Sequence, residues 1–141
     1  MNKGLILTIW IFNHLGPALG DSVQSREPEV SKSEGNIVSL SCSYDTSSSD
    51  IYLFWYRQYQ HQAPQYILRR GAKSYRDLSD TADFAQERFS SQAGDSSTVL
   101  NITALELADT AVYYCALQRA QWQSHGAELY KNPPLLAADR L

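Results

Sequence analysis

Cysteine is scarce in this chain: Cys42 and Cys115 are the only two among 141 residues. Two cysteines alone cannot complete a structural zinc site. Histidine is nearly as rare, with three residues. His14 falls in an apolar leader, and His61 and His125 have no companions near a nucleophile or metal cluster, which argues against an enzyme. No metal and no cofactor is expected. Positive charge is not in excess, since 12 Lys and Arg stand against 15 Asp and Glu. Without a basic footprint, nucleic acid is excluded as a partner class. Long apolar runs are missing too. The run Leu5-Ile6-Leu7-Thr8-Ile9-Trp10-Ile11-Phe12 is too short to span a bilayer, and no later stretch is apolar enough to do so. The length suits one domain and is short for two.

What the first residues do contain is the layout of a secretory signal. Lys3 supplies a short positive region, the run from Leu5 to Phe12 the apolar one, and Ala18 and Gly20 are small residues ahead of a cleavage before Asp21. Residues 1–20 are therefore expected to be a signal peptide. A secretory route gives the cysteines an oxidising compartment, where two distant thiols most simply form one disulfide. Closing so long a loop would stabilise the domain by about 4 kcal/mol on the chain-entropy account.

The body of the chain alternates with period two, the mark of half-buried antiparallel strands. Val38, Leu40 and Cys42 share one face. Phe54, Tyr56 and Gln58 oppose Leu53, Trp55 and Arg57. Leu100 and Ile102 fall together with Asn101 facing away, and Ala111, Tyr113 and Cys115 turn inward. Polar or proline-bearing stretches separate these runs: Asp45-Thr46-Ser47-Ser48-Ser49-Asp50, Gln60-His61-Gln62-Ala63-Pro64 and Ala93-Gly94-Asp95-Ser96-Ser97. Pro64 cannot sit in a central strand. Only Ala104-Leu105-Glu106-Leu107-Ala108-Asp109 reads as helical, and only for one turn. Many short strands with regular turns predict an all-β sandwich.

Cys42, Trp55 and Cys115 have the spacing of the immunoglobulin disulfide and its packing tryptophan, and Tyr113 lies two residues before the second cysteine. With Asp109-x-Ala111-x-Tyr113-x-Cys115, the chain resembles immunoglobulin variable-type domains over about residues 21–119. The resemblance implies an antiparallel V-type Greek-key sandwich with extra strands between the cysteines. It also implies a core of Trp55, Tyr113, Leu100 and Ile102, a Tyr113 hydroxyl bonded to backbone before its strand, and a salt bridge from Arg88 to Asp109. Phe54-Trp55-Tyr56-Arg57-Gln58 and Tyr113-Tyr114-Cys115-Ala116-Leu117 resemble T-cell receptor alpha and delta variable segments. A light chain, or a V-type adhesion or inhibitory receptor, is the alternative.

The same resemblance implies two working surfaces. One is a partner-chain interface on Tyr56, Gln58, Pro64 and Tyr114, where the Gln amide could meet a matching Gln. The other is a set of antigen-contact loops: Ser48, Ser49, Asp50 and Tyr52 in the first, Arg70, Lys73 and Tyr75 in the second, and Gln118 and Arg119 at the start of the third. The implied partners are a T-cell receptor beta chain (gamma if the segment serves as delta), a peptide held by a major histocompatibility molecule (peptide–MHC), and the CD3 complex through a constant region outside this chain. The implied location is the secretory pathway and then the plasma membrane, within a receptor complex and without an anchor in this chain. Asn101-Ile102-Thr103 is an acceptor for N-glycosylation.

The tail, residues 120–141, departs from the family. A joining segment would supply Phe-Gly-x-Gly and a last strand, whereas His125-Gly126-Ala127-Glu128 offers one glycine, and Pro133-Pro134 would break a ladder. Ala120-Gln121-Trp122 can be encoded with CACAGTG, and Tyr130-Lys131-Asn132-Pro133 with ACAAAAACC. One base of the Trp122 codon, the seven codons from Gln123 to Leu129 and one base of the Tyr130 codon separate them by 23 bases, a recombination-signal spacing. The tail therefore reads as translated noncoding sequence after an unrearranged variable segment, which makes a nonfunctional germline product the second functional reading. The last strand is then missing or irregular, and the pairing sheet is expected to keep an open edge, a liability for association.

Overall fold

The computed structural model describes residues 4–9 and 21–120. Within these described residues, ten strands make two sheets. They are β1 (Gly4–Ile9), β2 (Ser22–Ser25), β3 (Glu29–Ser33), β4 (Val38–Asp45) and β5 (Asp50–Gln58), then β6 (Gln65–Lys73), β7 (Ser79–Thr81), β8 (Phe89–Ala93), β9 (Ser97–Ile102) and β10 (Val112–Arg119). One sheet runs β3-β1-β10-β5-β6-β7 and the other β2-β4-β9-β8.

Alternation decides which face each strand buries. Along β4, Val38, Leu40, Cys42 and Tyr44 are buried while Ser39 and Asp45 are exposed. β9 answers with Thr98, Leu100 and Ile102, and the register sets Leu40 opposite Leu100 and Cys42 opposite Thr98. In the facing sheet, Leu53 and Trp55 of β5 and Tyr113 of β10 are fully buried. Cys115 pairs in register with Trp55 and is joined by a disulfide to Cys42 of the other sheet. One covalent bond therefore spans the core, beside its largest buried side chain, Trp55.

The helical reading of residues 104–109 shrinks to a 3₁₀ turn, Leu107–Asp109, held by a reciprocal cap between Glu106 and Asp109. A second such turn, Asp83–Ala85, buries Ala85. Three residues are too few to show a helical period, which is why the sequence gives no sign of it.

The expected open edge on the pairing sheet remains along most of β10 and is covered only at its start. β1 lies between β3 and β10, antiparallel to the first over five residue pairs and parallel to the second through Thr8 with Val112 and Ile9 with Tyr113. Leu7 is fully buried and joins the main core cluster with Trp55 and Tyr113. An apolar segment that fits a targeting signal also fits a sheet edge with unsatisfied backbone groups and a hydrophobic gap beneath it. Among the described residues, no strand follows β10 and none pairs its outer edge from Tyr114 to Arg119. The tail from residue 121 lies outside the described residues.

Candidate recognition end and pairing face

Beneath both surfaces lies the scaffold that positions them. At the foot of the sandwich, Arg88 grips Asp109 with two bonds, Nη1 to Oδ2 at 2.8 Å and Nη2 to Oδ1 at 3.0 Å. The Asp109 side chain is 1% exposed, and Arg57 Nη1 stands 3.6 Å from its Oδ1. The Glu106 backbone N–H also donates to Asp109 Oδ2, at 2.9 Å. Burial alone would raise the Asp109 pKa. The Arg88 hydrogen bonds, the Glu106 N–H and the charges of Arg88 and Arg57 outweigh it and hold the carboxyl below its ordinary range. Tyr113 Oη donates to the Asp109 carbonyl at 2.7 Å, tying β10 to the turn before it.

At the opposite end of the strands, three segments distant in sequence meet. The first connection, residues 46–49, is braced from inside by Ser48 Oγ, which accepts from the Asp50 N–H at 3.2 Å. Lys73, at the end of β6, donates from Nζ to the Thr46 and Ser48 carbonyls at 3.4 and 3.2 Å. The Ser74 N–H donates to the Ser49 carbonyl at 3.0 Å, and the rings of Tyr52 and Tyr75 lie 5.2 Å apart. From β10, Arg119 reaches Ser47 Oγ at 3.2 Å, and the Ala120 N–H reaches the Asp50 carbonyl at 2.8 Å. Backbone and side chains of all three segments thus form one platform. Ser49 and Arg119 are exposed on it, while Tyr52, Tyr75 and Gln118 are half-buried.

Arg70, one of the sequence-derived loop set, is placed differently. Arg70 lies within β6, not in a connection, and its guanidinium donates to the Asp80 carbonyl at 2.8 Å and Thr81 Oγ1 at 3.0 Å. The β6–β7 pairing extends the ladder to this position, so Arg70 fastens an edge strand. Arg119 pairs with Asp21 at 2.6 Å. The Arg119 hydrogen bond lowers the Asp21 pKa against partial burial.

On the outer face of the six-stranded sheet, Tyr52, Phe54 and Tyr56 of β5 and Tyr66 of β6 make a row of ring contacts with centroids 5.9–6.4 Å apart. The Arg69 guanidinium lies 4.8 Å from the Tyr52 centroid. Tyr114 is buried beside Ala116, Phe54 and Tyr56, and its hydroxyl donates to Gln58 Oε1 at 2.7 Å. Gln58 Nε2 donates to the Gln62 carbonyl at 2.8 Å, so each end of the amide already has one partner within the chain. Pro64 is exposed next to β6. Asn101 lies on the outer side of the other sheet, where its Oδ1 accepts from Ser39 Oγ at 2.6 Å.

The immunoglobulin V-set profile matches residues 25–129. The T-cell receptor alpha chain V region RL-5 of Oryctolagus cuniculus is 41% identical over 102 residues, covering 71% of this chain and 70% of that protein. The Homo sapiens T cell receptor alpha variable 38-2/delta variable 8 is 34% identical over 113 residues, covering 80% of this chain and 94% of the relative. The Homo sapiens T cell receptor alpha variable 18 is 37% identical over 99 residues, covering 70% and 83%. The chain belongs to the T-cell receptor alpha/delta variable family of V-set domains.

This variable domain is an antigen-recognition module. Its relatives are receptor domains, not enzymes, and act with a partner chain. Among the described residues, no helix is long and apolar enough to cross a membrane. Thr98 is the functional support that sequence reading passes over. It is fully buried, and its Oγ1 accepts from Trp55 Nε1 at 3.1 Å. A hydroxyl on the inward side of β9, alternating with Leu100 and Ile102, was the available signal, because a buried polar group needs a partner.

Proposed function

We propose that this variable domain, once joined to a last strand, binds peptide–MHC through its loop platform while its aromatic face packs against a T-cell receptor beta chain, or a gamma chain in delta use. The observation that carries the reading is the convergence of residues 46–52, 73–75 and 118–120 at one end of the sandwich, locked by Lys73 and the Ala120 N–H. Ser48, Ser49, Asp50, Tyr52, Lys73, Tyr75, Gln118 and Arg119 form the antigen platform. Tyr56, Gln58, Pro64 and Tyr114 form the partner face, with Phe54 and Tyr66 added. Hydrophobic rings with polar tips suit such an interface. In this reading the domain is not an enzyme, and it reaches the plasma membrane in a complex with CD3, which a constant region would contact.

The test is co-expression of a joined version with beta and with gamma chains. A stable heterodimer with either supports the assignment, and Tyr56→Asp should abolish it without loss of the folded domain. Failure with both chains overturns the pairing.

The processing reading is likewise ours: residues 1–20 leave as a signal peptide, and Asn101 carries a glycan. Mass spectrometry of the secreted product tests both, since an N-terminus upstream of Asp21 or an unmodified Asn101 contradicts them. For the tail, transcript codons at Ala120-Gln121-Trp122 and Tyr130-Lys131-Asn132-Pro133 must spell the two signal elements. Any other codons there remove the readthrough account.

A further inference from the structure

Arg69 stands out on the aromatic face as a cation with an open hydrogen-bonding fork. It lies on β6 opposite Phe54 of β5, so its side chain leaves the sheet on the same outer side as the row of rings. There its guanidinium lies over Tyr52, 4.8 Å from the centroid. The residue is half-buried, and its Nε is buried with no hydrogen-bond partner. Among the described residues, none accepts a hydrogen bond from its two Nη atoms either. Asp80 of β7 stands directly across from Arg69, yet its carboxylate accepts from the Tyr66 hydroxyl at 2.8 Å and forms no ion pair with the guanidinium. In the free domain, water can solvate the outer nitrogens. Under a second protein the cation would lose that water, and a charge buried without a partner is costly.

We propose that Arg69 is a specificity-determining residue of the partner face, selecting a second variable domain that presents a carboxylate beside the Tyr52 ring. The proposal rests on the reading that this face packs against another chain. Position favours the partner over antigen as the source of the carboxylate. Lys73 ends β6 at the loop platform. At the rise of a β-strand, four residues place Arg69 about 13 Å short of that end. With Nε covered, the two Nη atoms make the contact, and a planar guanidinium fork fits a carboxylate in a way that an ammonium does not. Selection works in both directions. An acidic partner residue fills the fork, whereas a neutral or basic one leaves the cation desolvated and unpaired.

The experiment uses the joined domain in its heterodimer with the beta or gamma chain that pairs with it. Arg69→Gln should weaken the heterodimer about thirtyfold or more, chiefly through faster dissociation, while the unpaired variant melts as its parent does. Arg69→Lys should recover only part of the affinity. A scan that neutralises the partner's acidic residues one at a time should find one whose loss is not additive with Arg69→Gln. Arg69→Glu should be rescued by lysine at that partner position. A measurement without variants uses 15N-labelled domain: the Arg69 Nη resonances should be averaged by rotation when it is unpaired and become distinct in the heterodimer. Unchanged affinity of Arg69→Gln overturns the proposal, as does a loss that couples to no partner carboxylate, or Nη resonances that pairing leaves averaged. So does a variant that pairs normally and loses affinity for antigen instead. A heterodimer indifferent to Arg69 leaves the pairing reading intact, whereas no heterodimer with either chain overturns both.

Discussion

Trp55 Nε1 donates to Thr98 Oγ1 at 3.1 Å across the two sheets, with both residues fully buried. The tryptophan comes from β5 and the threonine from β9, so this bond fixes how the sheets lie over one another beside the disulfide. Thr98→Val keeps the shape and removes the acceptor. A buried N–H left without a partner costs about 1–3 kcal/mol. Denaturant unfolding should show that loss for Thr98→Val and a smaller one for Thr98→Ser, which retains the hydroxyl.

Asp109 makes the domain sensitive to acid. Its pKa is depressed in the folded chain relative to the ordinary carboxyl value of 3.8. The stability it contributes is therefore complete above that value and is lost as pH falls toward and through the lower folded one. Asp109→Asn should flatten this part of the acid limb. It should also lower stability near neutrality by about 3 kcal/mol or more, because Arg88 and Arg57 are left facing a neutral amide. A series of melting curves between neutral and acid pH reads both effects.

Gly71 has no room for a side chain. It is buried in β6, its N–H donates to the Leu78 carbonyl at 2.8 Å, and a Cβ would overlap the Tyr75 carbonyl. Since the obstacle is backbone, Gly71→Ala must displace the turn that carries Tyr75. The expected cost is about 1–3 kcal/mol or more. Loss of the Tyr52–Tyr75 ring contact should appear as shifted tyrosine resonances in NMR spectra.

Lys73 couples the first two loops rather than holding up the fold. Its backbone is left-handed, with φ of 55°, and its ammonium caps two carbonyls of the first connection. Lys73→Met should change global stability by less than about 1 kcal/mol, as surface polar contacts generally do. Amide exchange at Ser48, Ser49 and Asp50 should nevertheless become faster.

Residues that state their environment by repetition were readable in advance. Val38, Leu40 and Cys42 every second position could only be one buried face of a strand. Cys42, Trp55 and Cys115 gave the disulfide and the two-sheet fold. Arg70 was not readable in this way. Family position puts it in a loop, but a hydrogen-bonded ladder with β7 reaches that point, and a ladder depends on residues 79–81 as much as on residue 70. The bond from the Tyr114 hydroxyl to Gln58 Oε1 was hidden for the same reason: the two become neighbours only after β10 and β5 are in register.

By itself, then, the order of residues determined the strands, the buried side of each and the covalent link between sheets, because alternation and cysteine chemistry are local or nearly so. Only the tertiary structure decided what lies beside what at the margins. It joined Thr98 to the indole, bound Lys73 to the first loop, and set Gly4–Ile9 against β10. Those outcomes come from unsatisfied backbone groups and core volume shared between distant segments, and neither quantity exists until the chain is folded.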